Sequence, residues 1–202
     1  MIGLLHSFLY WSIRPVIGIF LITGLLIFWL IKGTAPSLKA IRAFIFLCLI
    51  TIFSRSFLMT FLNIYLWSKD ELAKRLLPPY APWSYAAQYS FYHYWFEPMV
   101  LIIFALIIFW AIILLNKKFQ NKLFYDEEPY FALLGVLLTG WPNCLVYLIL
   151  VLSLGLASHI FLYIFSKERE LPLLYFWLPC ALLVIIANDI ISKYSGVAQF
   201  TI

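Results

Sequence analysis

Charge is what this sequence lacks most. Of its 202 residues only 11% are Asp, Glu, Lys or Arg, against roughly 25% in a soluble domain. A chain so poor in charge cannot clothe a water-facing surface, which excludes a free globular protein. Cysteine is scarce as well. Cys48, Cys144 and Cys180 all fall in apolar segments, with no CxxC and no His/Cys metal spacing, so they read as small core residues. The chain contains no phosphate-cradling loop, dinucleotide fingerprint, HExxH pair or GxSxG elbow. No cofactor and no metal are therefore expected. Internal repeats, sustained heptads and low-complexity tracts are also missing, and no stretch between the apolar runs could form a separate soluble domain.

What fills the chain is hydrophobic: 65% of residues are apolar and 20% are aromatic. Apolar runs of ~20 residues recur throughout, each long enough to cross a hydrocarbon core of roughly 30 Å. The reading is an all-α, polytopic membrane helical bundle of five to six transmembrane helices. It forms one integral membrane domain over residues 1–202, with spans near 14–31, 40–67, 97–116, 123–141, 144–165 and 171–192. The N-terminal residues lack the basic start of a signal peptide, and no small-residue cleavage site follows. Val16 to Ile31 is thus expected as a retained span. The count turns on the run from Pro129 to Trp141, only ~20 Å long as a helix. It crosses if the helix starts near Leu123 and is re-entrant otherwise.

The formal charge of +5 needs no nucleic-acid partner, because Lys and Arg sit in the short loops, where they set orientation and meet lipid head groups. With six spans, Lys32, Lys39, Arg42, Lys117, Lys118, Lys122, Lys167 and Arg169 gather on one side. Lys69, Lys74, Arg75, Lys193 and Arg14 gather on the other. The excess predicts a cytoplasmic first set in a multi-pass protein of the cell membrane. The expected partners are the lipid bilayer and other membrane subunits.

Arg55 lies near the middle of the second span, between Ser54 and Ser56. A charge there costs roughly 2.5–3.5 kcal/mol, so it should face the bundle or a wet cavity and find a partner. Glu97 and Asp189 lie toward the same leaflet, and an Arg55–Glu97 or Arg55–Asp189 pair is expected, as an ion pair or a ligand site. Asp126, Glu127 and Glu128, followed by Pro129, have the form of a helix start; the same carboxylates are the candidates for acid or base chemistry at the membrane surface. The segment from Tyr80 to Phe96 holds nine Tyr, Trp and Phe residues. Trp83, Tyr89, Tyr92 and Trp95 are read as an interfacial belt or as a lid over a ligand. His159, alone in its span, is expected as a hydrogen-bonded core residue.

The stretch ALLGVLLTGWPNCLVYLILVLSLGLASHIFLYIFSKERELPLLYFWLPCALL, Ala132 to Leu183, resembles the C-terminal part of the prepilin peptidases, a family of membrane aspartyl proteases; the likeness extends over residues 123–187. It is carried by a short helix ending in Gly140-Trp141-Pro142, a span interrupted by Gly155, a charged turn and a Leu-Pro opening to the last span. The resemblance implies a catalytic carboxylate at the start of the short helix, near Glu127 or Glu128. The family's glycines before it are replaced by Leu123, Phe124 and Tyr125. It implies a first aspartate a few residues before an Ile-Pro, for which the nearest analogue is Asp70 in DELAKRLLPP. Only one clear span separates Asp70 from Asp126, which predicts opposite faces and no shared proton. The expectation is a prepilin peptidase relative without aspartyl protease activity; any surviving catalysis would be that of a membrane aspartyl peptidase at the cytoplasmic face. Two other expectations stand beside it: a subunit that binds a small solute or lipid, and an assembly protein with no catalytic site.

Overall fold

The computed structural model describes residues 23–24, 37–120, 124–165 and 173–187. The expected first span therefore lies outside the described residues except for Thr23 and Gly24, as do Asp189 and the end of the sixth span. The described residues contain helices and turns and no strand. Helix α1 runs over Leu38–Lys69. Its start is capped by the Ser37 side chain, which accepts from the Ala40 N–H at 3.4 Å, and its end carries Lys69 in the last turn, where the helix dipole favours a cation. A short 3-10 turn, Ala73–Leu76, leads to α2, Trp83–Ser90. This passes through a π-helical turn, Phe91–Trp95, into α3, Phe96–Lys118.

Among the described residues, three helical stretches are long and apolar enough to cross a membrane: Leu38–Lys69, the continuous Trp83–Lys118, and Asn143–Phe161. Their outward faces carry Phe46, Phe57, Ile107, Leu114, Ile149 and Leu156, each more than half exposed. Water would not tolerate so much contiguous apolar surface; lipid does. This is a membrane protein.

The buried stripe of α1 is Ile41, Ile45, Cys48, Ile52, Ser56, Met59 and Asn63, a three-and-four spacing that keeps one face against the neighbouring helices. The sequence sets the aromatic segment apart from the span beginning at 97. It is instead the first part of the same rod, which reaches back to Trp83. At 32 and 36 residues, α1 and the α2–α3 rod are about 48 and 54 Å long. They pair antiparallel, with Trp67 beside Tyr85 and Tyr89 and Phe53 beside Trp95.

Helix α4, Glu128–Thr139, occupies only part of the expected 123–141. Its 12 residues span about 18 Å, short of the core. Almost all of it is buried, because α1, α3, α5 (Asn143–Phe165) and α6 (Leu174–Ile186) all pack on it. Gly140 ends it at φ 76°, a backbone region that glycine enters without a Cβ penalty. The chain then turns through Trp141 and Pro142, with the Cys144 N–H bonded to the Gly140 carbonyl at 2.7 Å. Cys48, Cys144 and Cys180 are free and buried, as small core residues should be.

Candidate functional site

Two polar places interrupt this apolar frame, one near the middle of α1 and one at its N-terminal end. The first lies where the buried stripe of α1 changes from Ile41, Ile45, Cys48 and Ile52 to Ser56, Met59 and Asn63. Facing it is the π turn. Pro98 has no N–H to give the Tyr94 carbonyl, and its ring crowds that carbonyl. A proline so placed accounts for a widened turn just before it. The wide turn, Phe91–Trp95, brings His93 and Tyr94 round to the side of α3 that holds Glu97.

Between them is a small notch with a cavity volume of about 20 Å³, lined by Arg55, Ser56, Met59, His93, Tyr94, Glu97 and Pro98. It is partly open and has room for about one water-sized group. Arg55 and Glu97 are half-buried, and His93 is exposed at the mouth. Arg55, Tyr94 and Glu97 are each already engaged with other groups of the protein. The wall beside the notch is pinned: Trp95 Nε1 donates to Thr60 Oγ1 at 3.0 Å, and Thr60 donates to the Ser56 carbonyl at 2.9 Å. Ser56 spends its own hydroxyl on the Ile52 carbonyl, 3.1 Å away.

The structure thus brings Arg55 and Glu97 to one cavity; Asp189 lies outside the described residues. The four aromatics grouped in sequence divide into two pairs. Trp83 and Tyr92 point outward, 62% and 53% exposed. Tyr89 packs on Trp67 and His93, with centroids 4.8 and 4.1 Å away, and Trp95 is tied to α1. Tyr94 carries no signal in the sequence, because a π turn leaves no distinctive spacing. His159 is corrected: it is exposed on α5, not in the core. The buried positions Tyr147, Val151 and Gly155 would continue to 159, but α4 is too short to cover α5 that far.

The second place is at the N-terminal end of α1, beside Arg42. Asp126 is exposed, Glu127 half-buried, and Glu128 only 1% exposed. Glu128 opens α4 with Pro129 behind it, as the helix-start reading requires. Its burial is the surprise, because a capping acid needs no enclosure. The enclosure comes from the helices packed around α4. Close by, Arg42 donates to the Tyr130 hydroxyl at 2.9 Å and stands 5.0 Å from that ring's centroid, a cation–π distance. Asn116, read only as the end of a span, is buried. It donates to the Phe124 carbonyl at 2.9 Å and accepts the Phe124 N–H at 3.1 Å, clamping the connection between α3 and α4.

Asp70, the other carboxylate implied by the resemblance, is the C-cap of α1. It is 28 residues from Arg42 along one helix, about 42 Å at 1.5 Å per residue. Its side chain accepts from the Leu72 and Ala73 N–H groups at 2.8 and 2.9 Å. Those bonds, that from Ala73 first, hold its carboxyl below the usual range. Among the described residues no cluster of His, Cys, Asp and Glu has the arrangement of a metal site.

Comparison with protein-family models, curated proteins and solved structures gives no match to this chain.

Proposed function

We propose that this chain is a multi-pass protein of the cell membrane, related at a distance to the prepilin peptidases, that has lost aspartyl proteolysis and serves as a non-catalytic membrane component. The kinship rests on the residues of the 123–187 stretch. The loss rests on one observation: Asp70 and the Asp126–Glu128 cluster stand at opposite ends of α1. An aspartyl dyad shares a proton between carboxylates in near contact, and about 40 Å of helix forbids that.

In this reading six helices cross or enter the bilayer, and the end carrying Lys39, Arg42, Lys117 and Lys118 is cytoplasmic. A solute carrier fits less well, because the notch at Arg55, about 20 Å³, is too small to enclose a metabolite; small-molecule sites bury most of their ligand.

The test is cleavage. Membranes containing the chain, incubated with a prepilin that retains its leader, are expected to leave the leader uncut while an active prepilin peptidase removes it in parallel. Cleavage that disappears on Asp70→Asn or Glu128→Gln would overturn the proposal.

A further inference from the structure

We infer that α4 and the start of α5 form a re-entrant hairpin, which enters and leaves the bilayer on the Arg42 side and stops near the midplane at residues 140–143. The inference deepens the proposed reading of a multi-pass membrane protein and rests on it; it does not depend on the loss of proteolysis.

The turn fixes the direction of the two helices. Only Gly140, Trp141 and Pro142 separate α4 from α5, and Tyr147 reaches back to Gly135, so the pair runs antiparallel. Helix α5 is long enough to cross a membrane by itself. Its length, however, runs from the tip back toward the Arg42 side and adds nothing to the depth that the tip reaches.

That depth is measured against the α2–α3 rod. Asn116 is bonded to Phe124, Tyr130 packs on Phe109 and Trp141 on Phe104, with ring centroids 5.2 and 6.1 Å apart. Helix α4 therefore descends along α3, and the tip is level with Phe104. From there the rod continues back to Trp83, about 31 Å further.

The part beyond the tip is not dressed for water. Trp95 lies about 14 Å past Phe104 along the rod and is tied to Thr60 on α1. Around that level α1 exposes Phe57 by 66% and Phe61 by 63%, and no acid or base stands between Arg55 and Lys69. Hydrocarbon has to reach Phe61. A core of about 30 Å that begins at Arg42 takes in about 20 residues of α1 and ends there. The tip then lies about 14 Å inside the outer edge, close to the middle. Arg55 and Glu97 fall within the core, half-buried and engaged with other groups, as charges at that depth have to be.

The tip is built for such a place. Irregular backbone at membrane depth survives only where protein encloses it. Gly140 and Pro142 are buried. The N–H groups of Gly140, Cys144 and Leu145 donate to the carbonyls of Val136, Gly140 and Pro142 at 3.1, 2.7 and 3.1 Å. The negative end of α4 and the positive end of α5 meet here, so each offsets the other.

A hairpin that crosses fully and one that turns back leave their ends on the same side, so the test is made beyond the tip. Phe61→Cys alters an exposed side chain and opens no core. If the hairpin is re-entrant, position 61 is in hydrocarbon, where a thiol does not ionise and so does not react. In intact cells, Phe61→Cys is expected to react with a membrane-impermeant maleimide at least about tenfold more slowly than Lys74→Cys, and to label fully once unfolded in detergent. A nitroxide at Asn143→Cys, in vesicles, should be relaxed by oxygen far more than by a water-soluble nickel chelate. Phe61→Cys reacting as fast as Lys74→Cys, or a nickel-accessible label at position 143, would overturn the inference and leave the crossing of α1 intact. Labelling of Lys74→Cys and Lys118→Cys from one side would instead overturn the multi-pass reading, and this inference with it.

Discussion

The hydroxyl of Tyr147 lies against the backbone of Gly135, so close that a Cβ at position 135 would run into it. Tyr147 is fully buried and has Trp177 beside it at a centroid distance of 6.2 Å, so the ring cannot simply swing away. Gly135 is therefore a packing requirement of the α4–α5 contact, and its helical position makes the consequence measurable.

Gly→Ala within a helix ordinarily stabilises by up to about 1 kcal/mol. Forcing an extra carbon into a filled core costs about 1–3 kcal/mol, and here that term wins. Gly135→Ala is expected to lower the thermal midpoint of the detergent-solubilised protein. In a Tyr147→Leu background the same change should be neutral or stabilising, because the shorter side chain vacates the site. The two backgrounds thus differ in sign. A loss of equal size in both would show that Tyr147 is not what Gly135 makes room for.

Asn116 supports a second prediction. Its side chain meets both backbone groups of Phe124 and so ties the 124–127 turn to α3. Asn116→Ala leaves a part-buried N–H and C=O to find new partners, at a cost of about 1–3 kcal/mol. Hydrogen exchange at the Phe124 amide should accelerate at least tenfold while amides in the middle of α1 are unchanged. Asn116→Asp keeps the acceptor and loses the donor, and should fall between. An unchanged Phe124 amide in the alanine variant would refute the clamp.

Much of the helical frame was legible because hydrocarbon imposes a simple rule: about 20 apolar residues per crossing, bounded by charge. The span read at 40–67 is the helix Leu38–Lys69, and that at 144–165 is Asn143–Phe165. The rule fails where burial, not lipid, sets the environment. Helix α4 is apolar on every side since protein encloses it, so hydropathy could not say that it begins at Glu128 and stops short of a full crossing. The join of the aromatic segment to α3 escaped for a different reason. Pro98 reads as a helix breaker in sequence, yet the chain absorbs it by widening the preceding turn. Arg55 could be singled out from one residue, because an intramembrane charge is costly anywhere. Glu97 could be named only alongside Asp189, since which acid meets Arg55 depends on how the helices are rotated.

The sidedness of the hairpin gives a third prediction. The structure places Lys117 and Lys118, at the end of α3, on the side of Arg42, and Lys74 and Arg75 at the far end of α1. The three native cysteines are buried, so they should stay silent toward a membrane-impermeant maleimide. Lys74→Cys is expected to react in intact cells, and Lys118→Cys only after the membrane is opened. The reverse pattern would invert the orientation, and labelling of both from one side would break the antiparallel pairing of α1 with the α2–α3 rod.

Asp70 carries the last prediction, a dependence on pH confined to one turn. Its carboxylate accepts from the Ala73 and Leu72 amides, which lowers its pKa in the folded chain. A group depressed on folding contributes stability that is fully present above its unfolded pKa, about 3.9 for Asp. That contribution is lost as pH falls through the lower folded value. The Ala73–Leu76 turn should hence be intact at pH 5 and above and begin to loosen only below about pH 4. Paramagnetic labels placed at Glu71 and Leu77 would report it as a rise in local mobility on acidification. Asp70→Asn should give a turn whose mobility no longer changes between pH 5 and pH 2. If the asparagine variant follows the same acid transition as the parent, the titrating group is not Asp70, and the two backbone bonds are not what orders the turn.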